Sequence, residues 1–188
     1  MAEDRIEQIV EEVLKQKSAI VNSPANEVPM TDVTVKKGTV KKIALGSDHG
    51  GFPLKEYLAK FLEEKGYRVV DQGTTSTAAV DYPDFAAKVA RAVAGGDCDR
   101  GIMIDTLGIA SAMAANKVRG IRAAMCYDLT TARSSREHND ANVLTLGTKT
   151  VEPALAAEIA LLWLTTDFAG GRHWPRVNKV MALERQRK

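Results

Sequence analysis

Three histidines are the whole complement of this chain, and each stands in a dense polar motif. His49 lies in Gly46-Ser47-Asp48-His49-Gly50-Gly51, His138 in Arg136-Glu137-His138-Asn139-Asp140, and His173 in Gly171-Arg172-His173-Trp174-Pro175-Arg176. Imidazole changes charge near neutral pH and suits proton transfer, whereas the guanidinium fork suits phosphate. Together they point to proton chemistry on a small phosphorylated molecule. Arg172 and Arg176 are four residues apart, so on one helix they would share a face and converge on a phosphate, or else form a solvated basic face. Lys149 offers a further phosphate contact, with the same alternative. Asp48 and His49 supply polar contacts beside glycines that let backbone approach a ligand, or Asp48 simply caps a strand–helix turn. Asp105 stands where a base would be sought. Backbone N–H groups in the turn through Gly108 could hold an anion such as a developing enediolate oxygen, with Asp105 as a base, a helix cap or a structural acceptor.

The elements that must position these residues alternate. Strands are predicted over Lys42–Gly46, Arg68–Asp71, Gly101–Asp105, Arg122–Cys126 and Val143–Leu146. Helices are predicted over Pro53–Lys65, Tyr82–Ala94, Ile109–Lys117, Leu129–Glu137, Glu152–Leu164 and Arg172–Arg187. Strand–helix alternation with short loops implies a parallel sheet covered on both faces, with ligands beyond the carboxyl ends of its strands. Asp48-His49 and Asp105-Thr106 fall there. His138 instead follows a helix, which suits it to a neighbouring site rather than its own.

Ahead of this domain (42–188), Ile6, Ile9, Val10, Val13 and Leu14 follow helical spacing, with Glu7, Glu11, Glu12 and Lys15 opposite. Residues 1–17 therefore read as an amphipathic helix, and 18–41 as a Ser-, Pro-, Thr- and Lys-containing linker. A helix this short needs a surface for its apolar stripe. Either it packs within its own assembly, or it docks as the encapsulation peptides of bacterial microcompartments do, on a shell protein.

Composition narrows the classes. The formal net charge is +2 over 188 residues, which argues against a nucleic-acid binder with a strong electrostatic footprint. Cys98 and Cys126 have no metal-site or disulfide spacing, so no metal is expected and a reducing, cytoplasmic setting is the default. No apolar run is long enough for a membrane span.

The motifs together resemble the ribose-5-phosphate isomerase B / galactose-6-phosphate isomerase family. The likeness rests on Gly46-Ser47-Asp48-His49-Gly50-Gly51-Phe52, Asp81-Tyr82-Pro83, Ala114-Ala115-Asn116-Lys117, Arg136 through Val143, and Gly170-Gly171-Arg172-His173 through Arg176. It implies a Rossmann-like three-layer α/β sandwich with a five-stranded parallel sheet, working as a homodimer or tetramer with sites at the subunit interface. It implies aldose–ketose isomerisation of a phosphorylated sugar through a cis-enediol, without metal or other cofactor. By the same resemblance, Asp48, His49, Tyr82, Gly108 and Asn139 contact substrate. His138 assists ring opening, and Arg172 and Arg176, with Lys149 replacing the usual arginine, hold the phosphate. One departure stands out. The familiar members carry a cysteine base followed by Gly-Thr-Gly, where this chain has Asp105 followed by Thr106-Leu107-Gly108. A second branch uses a glutamate where this chain has Ser111. Asp105 is then the candidate base, or the chain resembles the A subunit of galactose-6-phosphate isomerase and works with a cysteine-bearing paralogue, or it binds phosphosugar without turnover.

Overall fold

The computed structural model describes residues 40–184; the segment 1–17 and most of the linker lie outside these, so the expectations placed on them are not addressed by the fold. Five strands, β1 (Lys42–Ser47), β2 (Arg68–Asp71), β3 (Arg100–Asp105), β4 (Ala123–Met125) and β5 (Val143–Gly147), form one parallel sheet in the order β2-β1-β3-β5-β4. Helices α1 (Phe52–Glu64), α2 (Tyr82–Ala94), α3 (Ile109–Ala115), α4 (Leu129–Glu137) and α5 (Pro153–Thr165) connect them and follow the last strand.

Alternation along the strands explains the layers. Ile43 and Leu45 of β1, Ile102 and Ile104 of β3, and Leu144 and Leu146 of β5 point to one face, where they meet Leu54, Leu58 and Leu62 of α1, Ala132 of α4 and Trp163 of α5. Ala44 and Met103 point to the other face, against Ala86, Val89 and Ala90 of α2 and Ala115 of α3. Each fully buried Leu or Ile contributes roughly 1.5–3 kcal/mol. The three central strands, buried on both faces, are therefore the firmest part of the sheet, and β1 and β3 carry the loops of interest.

The predicted strands and first five helices agree with the structure to within two residues at each boundary. The last helix does not. Gly171–His173 form a 3-10 turn, and the α-helix, α6, runs only over Trp174–Leu183 within the described residues. Pro175 explains the offset: lacking an N–H and fixing its own φ, it fits the first helical turn and not a position further in. Arg172 thus precedes the helix that carries Arg176, and the shared-face argument from four-residue spacing does not apply to them.

Candidate active site

At the carboxyl end of the sheet, the β1 and β3 loops touch. Asp48 N–H donates to the Ile104 carbonyl at 3.2 Å, and Asp48 Oδ1 accepts from Gly51 N at 2.9 Å. Gly51 is required because any Cβ there would collide with the Ile104 carbonyl. Asp48 is buried, and His49 beside it is exposed, with Nδ1 3.2 Å from the Val80 carbonyl oxygen and 3.3 Å from Val80 N. That contact ties the β2–α2 loop to β1 and brings Tyr82, the first residue of α2, to the same end. Lys149 belongs here too: its N–H donates to the Thr106 carbonyl at 3.0 Å, one residue after Thr148 N–H donates to the Asp105 carbonyl.

Asp105 ends β3 at 5% exposure. Its Oδ1 accepts from Leu107 N at 2.7 Å and from Gly108 N in a shorter bond. Its Oδ2 accepts from Ser111 N at 3.0 Å and Ser111 Oγ at 2.5 Å. Four donors meet the roughly four lone-pair positions of a carboxylate, so the group is committed to its own turn. The N–H groups of that turn, which from sequence could hold a developing oxyanion, hold the Asp105 carboxylate, so of its readings the structural acceptor matches the geometry. Gly108 sits at φ 80°, in the left-handed region, and is walled in by Leu146, Met125 and Gly147, so only glycine fits there. Leu107 projects outward from the turn and is 46% exposed.

A second cluster gathers around the end of α4. His138 caps that helix, its Nδ1 3.2 Å from Ser134 Oγ, and its ring stacks on His173 at 4.4 Å between centroids and 12° between planes. Desolvation, followed by the like charges of His138, Arg172 and Arg176, holds the His173 imidazole below the ordinary histidine range. Arg172 and Arg176, both exposed, therefore flank a ring that resists protonation. Asn139 and Arg176 line a cleft of about 490 Å³ between α6 and the β4 edge, shared with Arg122, Val177 and Glu184.

The platform beneath this cluster is an ionic knot. Asp140 adopts φ 47° and bonds two arginines: Arg136 Nη1 at 2.7 Å and Arg122 Nη2 at 2.9 Å. Arg136 is 3% exposed and also donates to the Ala141 and Thr166 carbonyls, with its guanidinium over Trp163. Arg122 donates to the Asn139 and Asp140 carbonyls as well. These bonds fix the chain that presents His138 and Asn139.

The two clusters occupy opposite ends of the sheet. Asp105 pairs with Gly147 at the carboxyl end of β5, whereas Gly101 N–H bonds Asn142 just before its amino end. Five strand residues separate those levels, about 16 Å at the usual rise. Among the described residues no hydrogen bond, ion pair or ring contact joins Asp48, His49, Tyr82, Asp105, Gly108 or Lys149 to His138, Asn139, Arg172 or Arg176.

Residues 43–180 match the model of the family described as Ribose/Galactose Isomerase. The chain belongs to that family. Ribose-5-phosphate isomerase B of Escherichia coli (strain K12) is 47% identical over 148 residues, covering 79% of this chain and 99% of the relative. The D-erythrulose-4-phosphate isomerase of Pectobacterium atrosepticum is 40% identical over 147 residues, covering 78% and 97%. Among solved structures, Clostridium thermocellum ribose-5-phosphate isomerase B superposes with a TM-score of 0.77 at 52% identity, covering 78% of this chain and 99% of that one.

Within this member of the ribose/galactose isomerase family the candidate residues fall into two groups, and four further side chains, given no role from sequence, join them. Ser111 was noticed only as a missing glutamate, yet it supplies two of the four donors to Asp105. His173 was noticed as a motif, and its stacking on His138 gives it a place in the second cluster. Arg122 and Asp140 gave no signal beyond the polar run around His138, because their role depends on a left-handed backbone and on neighbours distant in sequence.

Proposed function

We propose that this protein interconverts the aldose and ketose forms of a sugar phosphate of the ribose 5-phosphate class, in sites that two copies of the chain complete together. The observation that carries this is the separation of the clusters across the length of β5. Asp48, His49, Tyr82, Gly108 and Lys149 of one copy face the sugar, and His138, Asn139, Arg172 and Arg176 of the other complete the pocket. Arg172 and Arg176 clamp the phosphate, where a guanidinium gives two parallel charge-assisted bonds, and Lys149 adds a point charge from the facing copy. His138, oriented by Ser134, passes a proton to the ring oxygen as the furanose opens, and Asn139 fixes the adjacent hydroxyls. The hydrogen on carbon 2 then moves to carbon 1 through a cis-enediol. Asp105 holds the turn on which Leu107 and Gly108 border the sugar. Family membership supports the reaction class, and the relatives' names show that both five-carbon and four-carbon phosphosugars are handled within the family.

The test uses the purified chain alone with ribose 5-phosphate in deuterated water. Formation of ribulose 5-phosphate, with deuterium appearing at carbon 2 of recovered substrate, is the expected result. Phosphosugar binding with neither exchange nor product, restored by a cysteine-bearing paralogue, would move the chain to the role of a partner subunit.

A further inference from the structure

We propose that Asp48, the first residue after β1, is the base that moves the proton between carbons 1 and 2; this rests on the isomerase reading above. The strand position that would ordinarily supply a base, Asp105, has both oxygens occupied by Leu107, Gly108 and Ser111. Asp48 opens the loop that follows the neighbouring strand, at the same carboxyl end of the sheet, and β1 and β3 pair directly. Only its Oδ1 is engaged, by Gly51 N–H at 2.9 Å. Among the described residues no donor meets its Oδ2. Ser47 Oγ, one residue earlier, is the single enclosed side-chain polar atom without a partner among them, and Asp48 Oδ2 is not counted with it. A Cβ at Gly50 would meet both Asp48 Oδ1, at 3.4 Å, and Thr106 Oγ1, at 2.9 Å, so this carboxylate lies beside the β3 turn. Asp48 is 7% exposed, so few waters compete for it. It is an oriented carboxylate with one oxygen held and the other available, the arrangement a general base needs.

The step balances without a co-reactant. Asp48 Oδ2 takes the hydrogen from carbon 2 of the open-chain aldose as a proton. The C–H electron pair becomes the C1–C2 double bond, and the carbonyl pair moves to O1. The O2 hydroxyl proton passes to O1, the O2 pair forms the new carbonyl, and the C1–C2 π pair takes the proton back from Asp48 at carbon 1. The carboxylate is regenerated.

Two variants separate the base from its surroundings. Asp48→Asn keeps an oxygen for Gly51 N–H while removing basicity. We expect its carbon-2 deuterium exchange with ribose 5-phosphate to fall by about 10²–10⁴-fold, with calorimetric affinity for the phosphosugar held within about tenfold. Formate is expected to restore part of the exchange in Asp48→Ala. Exchange in Asp48→Asn within tenfold of the parent would overturn the assignment. So would a loss of affinity parallel to the loss of exchange, or rescue by formate of Asp105→Ala but not of Asp48→Ala. A parent protein that binds but does not exchange would instead defeat the isomerase reading itself.

Discussion

Asp105 and Ser111 show how side chains can change the use of a strand–helix turn. In this turn the carboxylate sits among backbone donors at the start of α3, and the Ser111 hydroxyl closes the last position. Removing it leaves the Gly108 and Ser111 N–H groups unpaired in a buried setting, whereas Leu107 N–H lies nearer to water. An orphaned buried donor costs about 1–3 kcal/mol, so Asp105→Ala should lower the unfolding free energy by about 2–4 kcal/mol. Asp105→Asn, which keeps one carbonyl oxygen, should lose about half as much. Urea unfolding with unchanged slope measures both; a shift below about 0.5 kcal/mol for the alanine variant would mean that the turn closes without its carboxylate. The position of Asp105 was legible from the strand pattern around it. Its saturation was not, because three of its four donors belong to the backbone, whose aim depends on the φ of Gly108 rather than on residue type.

Elements explain why the two histidines that could be aligned with proton transfer and phosphate binding end up ring on ring. The end of α4 was legible in sequence, and the structure places it as predicted at Glu137. The chain carrying His173 reads in sequence as a continuous helix, since basic residues at helical spacing look the same whether or not a 3-10 turn interrupts them. Positive φ at Gly170 and Gly171 lets that turn fold back so that His173 covers His138. The stack makes the two charges interfere, and desolvation and the neighbouring cations hold the His173 pKa low. The sign follows from linkage. A histidine that titrates lower when folded binds fewer protons than its unfolded form in the window between the two values. Its contribution to stability is therefore full above the ordinary histidine range and is lost as pH falls through it. Replacing His138 with alanine removes one of those charges, so the His173 ring-proton titration followed by NMR should move up towards the ordinary value. An unchanged midpoint would assign the depression to desolvation and the arginines alone.

At the scale of the whole molecule, the sheet itself separates the groups that the proposed reaction brings together. Parallel strands put every strand–helix loop at one end and every helix–strand loop at the other, so His138, preceding β5, cannot reach Asp48, following β1, within one chain. That much was legible once the strand–helix alternation was read, since a residue after a helix lies at the far end of the next strand. The layout makes a quantitative prediction about mixtures. Pair an Asp48→Asn chain with one in which Arg172 and Arg176 are both alanine; each homodimer has a defect in both sites and should be inactive. A two-fold heterodimer concentrates both defects in one site and leaves the other intact. With random exchange, half of the dimers are mixed and half of their sites are whole, so activity should recover to about a quarter of the parent value. Sites built within single chains would show no recovery at any mixing ratio. Because neither variant alters the Arg136–Asp140–Arg122 knot, both should fold with the parent's unfolding midpoint, and recovery on mixing then reports only where the two halves of each site come from.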